Sequence, residues 1–331
     1  MSTARTDPQK VSDPTGSPFL EPTTQQFVDA SVAGAGATLE TRSPADARKV
    51  LSDAQSAPVG KPAARLEDVV FPVGPTGSVR IRIVRPEGAS ESLPVVVYVH
   101  GGGWIRGDKD TYDRVVREIA VGARAALLFV DYDLSPEARY PTAIEQTYAA
   151  TAYVVEHGAR LGVDPARLAI VGDGSGGNMA AAVTLMASER RGPKIDLQIL
   201  FYPVVDCGFD TGSYASFANG PWLTRRAMEW SWNAYLPDAA QRKQITATPL
   251  SASIDQLTGL PDALVIVAEN DVLRDEGECY ARNLARAGVR VTSTRYNGTI
   301  HDFVMLNALA DTPAARGAIA QANALLRSVL E

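Results

Sequence analysis

Residues 168–178 read Leu168-Ala169-Ile170-Val171-Gly172-Asp173-Gly174-Ser175-Gly176-Gly177-Asn178, and an alanine-rich run follows. The four apolar residues have the character of a buried strand, and the alanines favour helix. A strand, a tight glycine turn and a helix form the frame on which G-x-S-x-G presents a reactive serine. Aligned on Gly172 and Gly176, the serine position falls on Gly174. The only hydroxyl arrives one residue later, at Ser175.

Seven more strand-like runs surround this one: Val69–Val73, Val79–Val84, Val95–Val99, Ala126–Val130, Leu197–Phe201, Leu264–Val267 and Val291–Tyr296. The run at 79–84 alternates like a half-exposed edge, whereas 95–99 is continuously apolar, as in a strand covered on both faces. Antiparallel strands first and βα repeats afterwards predict an α/β fold, a mostly parallel eight-stranded sheet flanked by helices. Residues 1–24 are polar, contain prolines and lack an apolar core of a secretory signal; they are expected to be a disordered tail ahead of one domain at 25–331. A helical pattern runs from Gln25 to Ala57, broken by glycines after Val32 and restarted by Ser43 as N-cap with Pro44 behind it. Between Asp206 and Pro249 no strand is evident and aromatics crowd the chain. That insertion (206–249) and the N-terminal helices (25–60) are expected to form a helical cap.

Three places carry chemistry. His100-Gly101-Gly102-Gly103-Trp104 follows the strand at 95–99, and its bare backbone N–H groups suit an oxyanion, worth on the order of 3 kcal/mol per donor. Asp271 follows the strand at 264–267, at the carboxyl end where α/β ligand sites assemble. His301 follows the last strand. Of the three histidines, His100 belongs to the glycine loop and His157, beside Gly158, reads as a solvated helix-end residue. That leaves His301 as general base and Asp271 as its orienting acid.

These motifs, together with Asp131-Tyr132-Asp133-Leu134-Ser135-Pro136-Glu137 and Tyr140-Pro141, resemble those of the hormone-sensitive-lipase-like bacterial esterases of the α/β-hydrolase superfamily. The similarity runs from about residue 25 to the end. It implies hydrolysis of carboxylic esters with short to medium acyl chains and no metal or cofactor. It also implies Gly102 and Gly103 as oxyanion donors, Gly101 bending the loop, the N–H of Ser175 as a third donor, and Asp271 and His301 as acid and base. Trp104, Trp222, Phe217 and Tyr214 are candidates for the substrate pocket. The family motif is G-D-S-x-G-G, and this chain departs from it at Gly174.

Neighbouring Cα atoms lie about 3.8 Å apart, so Ser175 Oγ is expected to start well off the line from His301 to the oxyanion donors. Three readings stay open: an impaired enzyme or pseudoenzyme that still binds ester-like ligands, Ser175 as a displaced nucleophile, or water activated by His301. A reading from another class, dinucleotide binding through Gly172-x-Gly174-x-x-Gly177, lacks the acidic residue about 20 positions on. Glu189 lies in the helix and Asp206 is too far.

Composition narrows the partners. A net charge of -6 offers no basic excess for nucleic acid or an anionic membrane. No apolar run approaches the roughly 18–20 residues of a membrane span. Two cysteines, Cys207 and Cys279, make neither a disulfide framework nor a zinc motif. The expectation is a cytoplasmic protein acting on a small-molecule ester, with a homodimer left open. Asp275, Glu276 and Asp302 read as solvated loop charges, with loop ion pairs as the alternative.

Overall fold

The computed structural model of the chain describes residues 18–33, 37–89 and 92–331. Eight strands, β1 (Ala64–Phe71), β2 (Val79–Pro86), β3 (Leu93–Val99), β4 (Ala126–Asp131), β5 (Val163–Asp173), β6 (Leu197–Phe201), β7 (Asp262–Asn270) and β8 (Val291–Ile300), form one sheet. Their order is β1-β2-β4-β3-β5-β6-β7-β8. The β1/β2 and β2/β4 pairs are antiparallel and the rest parallel.

Among the described residues ten α-helices accompany it: α1 (Pro22–Ala33), α2 (Pro44–Ala54), α3 (Asp113–Ala123), α4 (Thr142–Leu161), α5 (Ser175–Glu189), α6 (Gly212–Ser216), α7 (Arg225–Tyr235), α8 (Ile254–Leu257), α9 (Arg274–Arg286) and α10 (Pro313–Leu330). Successive strand residues point to opposite faces, and the central strands are apolar on both. Val95, Val97 and Val99 of β3 join the core under α4, α5 and α9. Val96 and Tyr98 join the core under α3 and α10. Among the described residues no helix is long and apolar enough to cross a membrane.

This topology positions the site. The chain steps from β3 outward to β4 and then crosses back to β5 on the other flank of β3. The loops leaving β3 and β5 therefore open side by side, the switch point where α/β sheets bind ligands. At the far side, Asn270 of β7 is in register with Ile300 of β8. The next residues, Asp271 and His301, thus leave the sheet as neighbours.

Three expectations need correction here. Of the tail predicted through Thr24, residues 1–17 lie outside the described residues, and so does the glycine break at 34–36. From Pro18 onward the chain is tied to the sheet. Glu21 N–H donates to the Gly298 carbonyl at 2.8 Å, and Asn270 Nδ2 donates to the Phe19 carbonyl at 2.9 Å. The start of α1 escaped notice because its cap is a glutamate rather than one of the usual short polar residues: Glu21 accepts from the N–H groups of Thr23 and Thr24. Second, β1 begins at Ala64 and ends at Phe71, a polar-rich edge strand that an apolar search registers only at its end. Third, the backbone does leave helical geometry at His157 (φ -117°, ψ 16°), where α4 kinks before running on to Leu161, but the half-buried ring stands edge-on to Tyr153 at 4.1 Å instead of in open solvent. The restart at α2 holds, with Asp46 N–H donating to Ser43 Oγ at 3.1 Å.

Candidate active site

The loop after β3 turns through left-handed backbone at Gly102 (φ 90°) and Gly103 (φ 65°). Both are partly exposed, and among the described residues no hydrogen bond occupies either N–H. Gly101 is different. It is buried, and its N–H donates to Asp173 Oδ1 at 3.0 Å, so it shapes the loop and is not a free donor. Asp173 also accepts from the hydroxyls of Tyr98 (2.9 Å) and Tyr112 (3.0 Å). Burial pushes its carboxyl up to about 7, aided by the charge of Asp302 and opposed by those hydrogen bonds. The His100 ring stacks on Tyr132 at 4.2 Å, and burial lowers it to about 4, so it is neutral loop scaffolding. The Tyr132 hydroxyl donates to the His100 carbonyl at 2.9 Å, and Ser135 N–H to the Trp104 carbonyl at 2.9 Å. The Asp131–Glu137 segment thus braces the glycine loop after β3.

At the end of β5, Gly174 takes φ 50° and ψ -118° before α5 begins. A left-handed φ of this kind costs a side-chain-bearing residue about 1–3 kcal/mol. A Cβ placed on Gly174 would meet His301 Nε2 at 3.3 Å and His301 Cε1 at 3.6 Å, and no other neighbour within 4 Å. The elbow position therefore faces the imidazole. Ser175 does not: its buried Oγ accepts from Trp104 N–H at 3.0 Å, on the oxyanion-loop side. Gly176 packs so closely on β3 that a Cβ there would lie 2.0 Å from the Val99 carbonyl oxygen, which lets α5 start directly beneath the loop.

His301 Nδ1 and Asp271 Oδ2 are 2.7 Å apart, with Asp271 buried and its Oδ1 accepting from Leu273 N–H at 3.0 Å. On the other side of the ring, Nε2 is 3.3 Å from Asp302 Oδ1. Burial of the ring favours the neutral form, but the charges of Asp271 and Asp302 outweigh it and raise His301 to about 9. At pH 7 the ring is therefore mostly protonated. Asp302 was read from sequence as a solvated charge. It is buried, held with φ 66°, and accepts from Trp222 Nε1 at 2.9 Å. Glu276 is likewise buried, accepting from Val205 N–H at 2.8 Å and Asp206 N–H at 3.2 Å; Asp275 pairs with Arg274 at 2.9 Å. The sequence signal for Asp302 was its place directly after His301.

The aromatics of the 206–249 insertion divide. Trp222 donates to Asp302 beside His301, and its ring lies 5.0 Å from Phe27 of α1, so α1 and the 206–249 insertion meet there. Trp104 is fully buried, stacked on Tyr235 at 4.3 Å and beside Trp232 at 4.8 Å, which makes it the anchor of α7 on the glycine loop after β3. Tyr214 packs edge-on to Phe209 at 5.5 Å, and Phe217 lies under the Arg274 guanidinium at 5.4 Å. Among the described residues no group of three or more His, Cys, Asp or Glu side chains can hold a metal ion. β6 ends at Phe201 and runs into Tyr202 and Pro203, so no carboxylate stands at its tip for a ribose.

A sheet of this order flanked by helices, with a glycine loop after β3, a glycine turn after β5 and an Asp–His pair after β7 and β8, defines the class: an α/β-hydrolase. A family of the alpha/beta hydrolase fold matches residues 96–305, and the chain belongs to it, in the hormone-sensitive-lipase-like group. Among its relatives is the carboxylesterase NlhH of Mycobacterium tuberculosis, 36% identical over 86% of this chain and 89% of that one. A thermostable esterase from Pseudomonas putida has a solved structure that is 48% identical with a TM-score of 0.93, covering 95% of this chain and 99% of the other. A fungal esterase of Rhizomucor miehei follows at 40% identity and TM-score 0.89, covering 95% and 97%. By family the protein is a carboxylesterase-type hydrolase.

Proposed function

We propose that this protein binds small to medium acyl esters with the carbonyl oxygen toward the N–H groups of Gly102, Gly103 and Ser175, under a roof formed by residues 25–60 and 206–249. Asp271 and His301 are the acid and base of the site. The nucleophile slot is Gly174, so the chain as written holds an ester without an efficient route to an acyl-enzyme. One observation carries this reading: a Cβ at Gly174 lies 3.3 Å from His301 Nε2, while Ser175 Oγ is bonded to Trp104 N–H. Attack requires reacting atoms about 3–3.5 Å apart with the base in reach, and Ser175 is committed to the opposite side. Loss of the nucleophile from a serine triad lowers turnover by roughly 10⁶-fold, yet leaves on the order of 10³–10⁴ over water from the oxyanion hole and binding. A trace of hydrolysis is therefore compatible with an unused Ser175.

Isothermal titration with a ketone isostere of a butyrate ester tests the binding half. Saturable one-to-one binding without turnover is expected. No binding, in protein shown to be folded, contradicts the proposal.

A further inference from the structure

The turn that leaves β6, residues 201–206, is bonded to the elbow, packed on the base and tied to the helix behind the acid. Tyr202 is fully buried there with φ 36°, a left-handed backbone that a bulky side chain keeps only where its surroundings impose it. Those surroundings are specific. Gly174 N–H donates to the Phe201 carbonyl at 2.9 Å, and Val204 N–H donates back to the Gly174 carbonyl at 3.0 Å. Tyr202 N–H donates to the Ile266 carbonyl at 2.5 Å. Glu276 of α9 accepts from the N–H groups of Val205 and Asp206, and Leu250 N–H donates to the Val205 carbonyl at 2.9 Å. So held, the Tyr202 ring stands edge-on to the His301 ring, 4.8 Å between centroids and 63° between planes. Phe303 backs Tyr202 at 5.6 Å. The Tyr202 hydroxyl makes no hydrogen bond among the described residues, so the contact belongs to the ring.

A hydrogen bond fixes one atom of an imidazole and leaves the ring free to swing about it. Asp271 holds His301 Nδ1 at 2.7 Å, while Asp302 Oδ1, 3.3 Å from Nε2, competes with the elbow for the other nitrogen. An edge-on aromatic neighbour has a preferred geometry and so restrains the plane of the ring. Resting on the reading of His301 as the base, we infer that Tyr202 is a positioning residue that sets the plane of the His301 imidazole and so keeps Nε2 on the elbow position. It acts through His301 and not on the ester. Because the same turn is bonded to Gly174 through Phe201 and Val204, the base and the nucleophile slot are registered against one piece of backbone. That shared register accounts for an unfavourable φ at Tyr202.

The test has two readouts. In the chain as written, proton NMR follows the His301 Nδ1 proton bonded to Asp271, which a fixed ring protects from exchange with water. Tyr202→Leu should speed that exchange by roughly tenfold or more, because the ring opens locally more often. Tyr202→Phe, which keeps the edge-on ring, should hold the parent rate within about twofold. Neither replacement is β-branched, so neither adds strain at this φ. In the Gly174→Ser background, Tyr202→Leu should lower kcat for p-nitrophenyl butyrate by roughly tenfold or more with KM within about twofold, since small misplacements of a reacting group are that costly. Tyr202→Phe should restore the rate. Unchanged exchange or undiminished kcat in folded Tyr202→Leu, or an equal loss in Tyr202→Phe, overturns the inference, and turnover by Gly174→Ser itself leaves the base reading standing. An inactive Gly174→Ser contradicts the base reading instead, and the exchange rates then decide on Tyr202. If circular dichroism shows Tyr202→Leu to be unfolded, Tyr202→Met, an adaptable filler of the same space, replaces it in both measurements.

Discussion

Restoring a serine at the elbow is the perturbation with the most calculable result. In Gly174→Ser the new Cβ falls 3.3 Å from His301 Nε2 and 3.6 Å from Cε1 of the same ring, its near contacts beyond the adjoining chain among the described residues. The hydroxyl then comes within the roughly 2.6–3.2 Å reach of a base, competing with Asp302 Oδ1, now 3.3 Å from Nε2. The contact is tight, so the imidazole must shift by a few tenths of an ångström. With φ at 50°, the side chain adds about 1–3 kcal/mol of backbone strain, and the variant should melt a few degrees lower. Against that cost, hydrolysis of p-nitrophenyl acetate or butyrate should rise by about 10³-fold or more, some 4 kcal/mol of barrier. The assay is initial rates with buffer hydrolysis subtracted, alongside a thermal melt. A variant that is folded and less stable yet no faster than its parent would refute the claim that Gly174 faces the base.

The residual activity of the parent has its own signature. His301 can accept a proton only when neutral, and two carboxylates hold it protonated up to about 9. Water-mediated hydrolysis should therefore climb from pH 7 and level off above 9, and Asp302→Asn should move that rise to lower pH by removing one of the charges responsible; a pH–rate profile unchanged by the substitution would contradict the electrostatic account. Ser175→Ala should leave this residual rate intact while lowering stability by about 1–3 kcal/mol, because the buried Trp104 N–H loses its acceptor. Loss of turnover in that variant would instead make Ser175 the working nucleophile.

Most of the sheet was legible in the residues because its central strands are buried on both faces and read as unbroken apolar runs, as Val95–Val99 does. The order of motifs exposed the site for the same reason: loops at the carboxyl ends of β3, β5, β7 and β8 follow those runs directly. What escaped detection shares a different cause. Glu21 caps α1 with a side chain not usually found at that position, and β1 is an edge strand whose polar residues hide its start. Asp302 and Glu276 look like surface charges until long-range packing supplies Trp222 Nε1 and the N–H groups of Val205 and Asp206. The direction of Ser175 Oγ was foreseeable as a displacement, but its acceptance of the Trp104 N–H required the two loops to be brought together.

Covalent labelling with a fluorophosphonate, read by peptide mass spectrometry, tests the central geometry most directly. The parent should carry no adduct at Ser175, while Gly174→Ser should be modified at position 174. A stoichiometric adduct on Ser175 of the parent would show that its hydroxyl reaches the base after all, and would contradict the account.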